Sequence, residues 1–196
     1  MIKICLVLVM VVAINAATMQ DCERKVLQDR VIKNYIDQVS RSWTFCKELK
    51  FVRDGLLNSP SCLGEIITAQ RLWLLQFIYL DNTLSPICGE PVATDALKKL
   101  VKHSPSFELL KEFPSLEHDH SHACAKEVHV ECRTHYLADA KKENFCQALE
   151  AFDRCYEKGA KRCKAKIIQD YYVIVRDVSE NLLSVYRKEI LMCANN

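Results

Sequence analysis

The stretch CLGEIITAQRLWLLQFIYL, residues 62–80, decides the fold class. From Ile66 to Leu80 only Thr68, Gln70, Arg71 and Gln76 interrupt the apolar run. Wound onto a helix, these four scatter around the axis and leave no broad solvent face. A helix that is apolar on nearly all sides is a buried one. Arg71 near the centre, and a run shorter than the roughly 20 residues a bilayer needs, argue against a membrane span. LWLLQFIYL suits a strand as well, but length favours the helix. The expectation is an all-α protein, with disulfide-stapled helical hairpins packed around one buried apolar helix.

Helical periodicity continues on both sides of this stretch. Upstream, Ile32, Ile36, Val39, Trp43, Cys46 and Leu49 recur at steps of three and four, one face of a long amphipathic helix over 21–52. Asp54-Gly55 reads as its end, with Gly55 as a left-handed cap. Ser59-Pro60 or Ser61 reads as the start of the core helix, and Asp81-Asn82 as its stop. Pro86, Gly89 and Pro91 mark a loop. Thr94-Asp95 caps a short helix with Leu97, Leu100 and Val101 inward. Pro105-Ser106 opens another short turn with Leu109, Leu110 and Phe113 inward, ended by Pro114.

The second half repeats the pattern. Cys124, Val128, Cys132 and Tyr136 lie four apart on one helix, and Asp139 to Asn144 reads as a polar turn. Phe145, Leu149, Phe152 and Tyr156 form the next stripe, ended by Gly159. A last long helix, from about Cys163 to Cys193, carries Ile167, Tyr171, Ile174, Val178, Leu182 and Val185. Its 3.6 period outweighs the strand propensity of Tyr171-Tyr172-Val173-Ile174-Val175.

The N-terminus has the layout of a secretory signal peptide: Lys3, an unbroken apolar run over 4–14, then Asn15-Ala16-Ala17 for cleavage. The expected organisation is a signal peptide over 1–17 and a single secreted domain over 18–196. Its halves, about 18–114 and 121–193, are joined by a His-rich linker. The localisation that follows is extracellular. A net charge of +2, one less once Lys3 is removed, with acidic and basic residues interspersed, gives no support to nucleic-acid binding.

Of eleven cysteines, Cys5 leaves with the signal peptide. The other ten read as five disulfides in an oxidising compartment. Cys124 and Cys132, eight apart on one helix, are separated by about 12 Å of rise. A bridge requires Cα atoms about 4.4–6.8 Å apart. They cannot pair with each other, nor can Cys146 and Cys155. In an antiparallel hairpin, facing residues have numbers of constant sum. On that rule Cys132 faces Cys146 and Cys124 faces Cys155, both centred on the turn at Asp139-Ala140. Cys46 likewise faces Cys62 and Cys22 faces Cys88, centred on Asp54-Gly55. Cys163 and Cys193 are left to pair if the last helix bends back, or else one takes a partner from the first half.

His118, His120 and His122 project to one side of an extended segment and are candidate ligands for zinc or copper. His129 and His135 add two more, one on each flank of the next helix. The competing reading is a solvated polar linker. His118-Asp119 has the residue pair of secreted phospholipases A2 but lacks their flanking cysteines and Gly-rich calcium loop. No G-x-S-x-G, H-E-x-x-H or P-loop occurs. The expectation is a non-enzymatic protein without a cofactor. Dibasic pairs such as Lys98-Lys99 and Lys161-Arg162 fall on predicted helices and read as solvated faces. Trp73, Phe77, Tyr79, Tyr171 and Tyr172 would line a cavity if the core holds a hydrophobic ligand. No N-x-[ST] sequon is present.

The unit Phe145-Cys146-x2-Leu149-x2-Phe152-x2-Cys155-x7-Cys163 resembles one that recurs in secreted helical proteins of arthropods and nematodes. The overall plan is similar to the Cys-rich centipede venom proteins of the scoloptoxin type, and also to the insect haemolymph glycoprotein family. The resemblance rests on cysteine spacing over 124–193 and carries no functional residue with it. It implies a secreted, non-enzymatic protein that binds an extracellular protein target such as an ion channel. The alternative is a circulating carrier of a small hydrophobic ligand.

Overall fold

The computed structural model describes residues 21–27, 44–111, 123–142 and 145–189. Among these, the elements are α1 (Asp21–Val26), α2 (Phe45–Leu57), α3 (Glu65–Leu84), α4 (Asp95–Val101), a 3₁₀ turn (Pro105–Phe107) and α5 (Glu108–Lys111). They continue with α6 (Ala123–Lys142), α7 (Phe145–Arg162) and α8 (Lys166–Glu189). No strand occurs among the described residues. The protein is all-α, stapled by disulfides, with α3 as its buried centre. Residues 1–17, expected to form a signal peptide, the upstream stripe at Ile32, Ile36, Val39 and Trp43, and Pro114 lie outside the described residues.

From Ile66 to Leu80 only Thr68 and Tyr79 of α3 keep even partial exposure. The helix α8 packs along it, α6 and α7 pair beside it, and α1, α2 and α4 close the remaining sides. Apolar burial is the main stabilising term. Aromatic rings form its centre: Trp73 stacks on Phe77 with centroids 5.4 Å apart and meets Tyr136 at 5.3 Å. Phe152 lies 5.2 Å from Tyr136 and 5.0 Å from Tyr156.

Several boundaries differ from the sequence expectation, each for a physical reason. The helix α3 starts at Glu65, not near Cys62, and runs through Asp81-Asn82 to Leu84. Those two residues do not stop it because their side chains have partners elsewhere. Asn82 brackets the Val92 backbone with two 2.8 Å bonds. The α2 helix runs past a buried Gly55 to Leu57, so Asp54-Gly55 is not its end. Asp139–Lys142 continue α6, so the expected turn there is absent. Gly159 does not end α7. A Cβ at this position would sit 2.3 Å from a Val128 methyl, so glycine lets α6 and α7 approach closely, and the helix continues to Arg162.

These shifts re-pair the cysteines. Cys124 joins Cys163 and Cys132 joins Cys155. The expected Cys124–Cys155 and Cys132–Cys146 pairs do not form. The nesting rule itself holds: both observed bridges are centred between residues 143 and 144, four residues beyond the expected turn. Cys146 is disulfide-bonded to a partner outside the described residues. In the first half, Cys22 joins Cys62 and Cys46 joins Cys88, in place of Cys22–Cys88 and Cys46–Cys62. Cys46 sits at the start of α2 and Cys62 beyond its end, about 17 Å of helix away. The antiparallel α2–α3 hairpin brings Cys46 instead to Cys88, past the far end of α3. Each bridge contributes roughly 2–4 kcal/mol.

The entry to α3 is clamped from α1. The buried Glu23 carboxylate accepts the amide protons of Ile66 and Ile67 at 3.1 and 3.4 Å, capping the core helix from 43 residues away. Negative charge at a helix N-terminus is stabilising. A Cβ on Gly64 would lie 1.8–2.0 Å from that carboxylate. Gly64→Ala is therefore expected to push Glu23 off the cap and cost about 1–2 kcal/mol. Since Glu23→Ala removes the same bonds, the double variant should be no less stable than Glu23→Ala alone, as read from urea midpoints. Additive losses would contradict the clamp.

Candidate functional site

The polar interruptions of α3 are crossbars. Gln70 Nε2 donates to Tyr186 Oη at 2.5 Å, and Tyr171 Oη donates to Gln76 Oε1 at 2.6 Å, tying α8 to α3 at two levels. Arg71 has no exposed surface. Its guanidinium donates to the carbonyls of Leu56, Ser59 and Cys62 at 2.5–3.2 Å. It closes the last turn of α2 and the loop beyond it, where carbonyls lack helical partners. Burial lowers its pKa from the usual arginine value.

One cluster has the residue types of a catalytic site. Asp81 Oδ1, at the end of α3, lies 2.5 Å from Arg133 Nη1 and 3.3 Å from His129 Nε2, both on α6. His129 Nδ1 lies 2.6 Å from Tyr156 Oη on α7. Asp81 Oδ2 accepts the Ile87 amide, and Arg133 also donates to the Ser85 carbonyl. A carboxylate is an acceptor only, so His129 Nε2 carries the proton and Nδ1 accepts from the Tyr156 hydroxyl.

Burial lowers the His129 pKa, against the raising effect of Asp81. With burial favouring the neutral ring, the contact is a hydrogen bond that His129 Nε2 donates to the Asp81 carboxylate. Burial opposes ionisation of Asp81, but bonds from His129, Ile87 and Arg133 outweigh it and hold its pKa below the usual carboxylate value. The Tyr156 pKa is raised by burial.

Asp81, His129 and Tyr156 are each 1 % exposed or less. All three are sealed from solvent. The cluster joins α3, α6 and α7, and satisfies backbone groups where α3 ends.

The sign of its pH dependence follows. A histidine whose folded pKa lies below the unfolded value near 6.5 contributes full stability above that pH and loses it on acidification. The slope approaches about 1.4 kcal/mol per pH unit for one proton. Wild-type stability should fall between pH 6.5 and 5. His129→Gln should show a shallower slope in chemical denaturation over that range. Equal slopes would contradict the assignment.

Of the other expected site residues, His118, His120 and His122 lie outside the described residues. His129, expected beside them as a ligand, is instead sealed in the core. His135 is exposed on α6. It lies with Glu131 and Cys155 close enough for one ion, but the Cys155 sulfur is bonded to Cys132. Glu131 is paired to Arg162 at 2.5 Å. Trp73, Phe77 and Tyr171 pack against other rings and helices rather than against open space, while Tyr79 and Tyr172 are half-buried at the periphery.

What sequence reading missed is the inward side of α6. His129 and Arg133 are four apart and one position beyond the Val128–Cys132 stripe, which places them on the same buried side.

A groove of about 630 Å³ opens between α3 and α8. Glu65, Thr68, Ala69 and Leu72 form its wall on α3, and Asn181, Ser184, Val185 and Lys188 the facing wall on α8. Both sets step by three, one and three residues, so each is a single helix face. Leu63 stands at its rim, 64 % exposed.

The architecture defines a class: a disulfide-stapled all-α protein whose buried polar groups are structural crossbars. No protein-family model, curated protein or solved structure matches the chain. No helix among the described residues is long and apolar enough to cross a membrane.

Proposed function

We propose that the protein is a secreted effector that acts by binding an extracellular protein target, in the manner of a venom protein on an ion channel. The observation that carries this reading is the combination of four bridges among the described residues with a sealed polar core. Bridges suit an oxidising compartment. The Asp81–His129–Tyr156 array, the group closest to a catalytic constellation, is buried away from solvent. That leaves the rigid exterior as the working surface. The test applies the oxidised, purified protein to a panel of voltage-gated channels. Saturable modulation that disappears after full reduction is expected. No response across the panel, with expression throughout the body rather than in a gland, would overturn the reading.

The α3–α8 groove favours a second reading, a circulating carrier of a small hydrophobic ligand. Its volume falls within the roughly 300–1,000 Å³ typical of small-molecule sites. A ligand mass retained in native mass spectrometry of the secreted protein would support it. Protein that holds no ligand and acquires none from a lipid extract would contradict it.

A further inference from the structure

We infer that the α3–α8 groove is the binding site for one small, uncharged amphiphile bearing a hydroxyl or carbonyl group, such as a sterol or terpenoid alcohol. This rests on the carrier reading and gives it a site and a ligand class. Three observations carry it.

The first is shape and polarity. Leu72, Leu100, Pro105 and Val185 give the groove an apolar lining. Thr68, Ser104, Asn181 and Ser184 add hydroxyl and amide groups, and none of these side chains is hydrogen-bonded within the described residues. Such convergent polar groups over an apolar lining orient an amphiphile.

The second is charge. Glu65 and Lys188 face each other across the groove and pair at 3.2 Å. A carboxylate or amine ligand would have to draw one member out of that exposed pair or turn to His103, the lining's remaining ionisable side chain, whereas a neutral ligand leaves the pair intact.

The third is rigidity. Exposed Leu63 is fixed on both sides, by the Cys22–Cys62 bridge before it and by Gly64 seated against Glu23 after it. A large apolar side chain held at the rim of a groove is preorganised for contact, which lowers the entropy cost of binding.

The test titrates the oxidised full chain with NBD-cholesterol, which is uncharged, and measures its displacement by cholesterol and by cholesteryl hemisuccinate, the same sterol carrying an acid group. Saturable binding of NBD-cholesterol is expected, with the hemisuccinate weaker than cholesterol by about ten-fold or more. Ser184→Trp fills the groove from an exposed position and should weaken the sterol by about ten-fold or more while leaving the unfolding temperature unchanged. Leu63→Asp, at an exposed rim position, should weaken it too and serves if the tryptophan variant does not fold.

Preference for the hemisuccinate would overturn the ligand class. Undiminished sterol binding by both variants would overturn the groove as the site and leave the carrier reading standing. Failure of wild-type protein to bind NBD-cholesterol, with no co-purifying ligand, would overturn the site and the carrier reading together.

Discussion

Replacing Arg71 by alanine is expected to cost about 3–5 kcal/mol, enough to consume much of the stability of a domain this size. The guanidinium has no exposed surface and makes four hydrogen bonds to three carbonyls. Its removal leaves those acceptors without their donor and opens a cavity beneath α2. Each stranded acceptor costs about 1–3 kcal/mol where water cannot follow. Arg71→Lys should recover only part of the loss, because one ammonium cannot reproduce a planar fork reaching Leu56, Ser59 and Cys62 together. Arg71→Met fills the space without the donors, so it separates cavity from hydrogen bonding. Urea denaturation of the three variants with bridges intact reads the order: alanine lowest, methionine next, lysine nearest wild type. Methionine equal to wild type would show that the carbonyls are satisfied without the arginine.

The second large effect is at Asp81. Asp81→Ala removes the acceptor for Arg133 and His129 and for the Ile87 amide in one step, leaving a buried cation whose one remaining partner among the described residues is the Ser85 carbonyl. Breaking one side of a buried pair costs about 3–5 kcal/mol, mostly through the partner left behind. Removing both charged partners should restore stability. Asp81→Ala combined with Arg133→Met is expected to be more stable than Asp81→Ala alone. The double-mutant coupling, read from the same denaturation midpoints, should exceed about 1.5 kcal/mol. A coupling near zero would mean that Arg133 finds other partners and the pair is not the unit described.

Both residues bear on what the sequence could reveal. The apolar run of 62–80 was enough to identify the core helix, since burial on all sides follows from composition alone. Arg71 within it argued correctly against a membrane span, but its partners could not be read, because they are carbonyls that any sequence supplies. Asp81 and Asn82 read as stop signals on local grounds, and tertiary partners override the local preference. The same failure moved the second-half turn. Asp139 to Lys142 is polar enough for a loop, yet it continues a helix whose inward side is already paid for by Val128, Cys132 and Tyr136.

A four-residue shift of the turn changes every bridge that depends on it. In the second half the antiparallel rule holds and only the assumed centre is wrong; in the first half Cys22–Cys62 and Cys46–Cys88 share no common centre, so the rule itself fails there. Gly159 looked like punctuation and is instead a packing contact with Val128. The groove was invisible for a different reason. Its two walls lie more than a hundred residues apart; the α8 wall alone reads as an ordinary partly exposed helix face, and on the α3 wall Glu65 and Thr68 reach solvent while Ala69 and Leu72 are buried.

The measurement that tests the account most directly is non-reducing peptide mapping of protein secreted by expressing cells. The predicted result is a mature chain beginning near residue 18 with no free thiol. It carries linked peptides for Cys22–Cys62, Cys46–Cys88, Cys124–Cys163 and Cys132–Cys155, and Cys146 is joined to Cys193, the one cysteine then remaining. Retention inside the cell, free thiols, or the alternative nesting of Cys124 with Cys155 and Cys132 with Cys146 would contradict it.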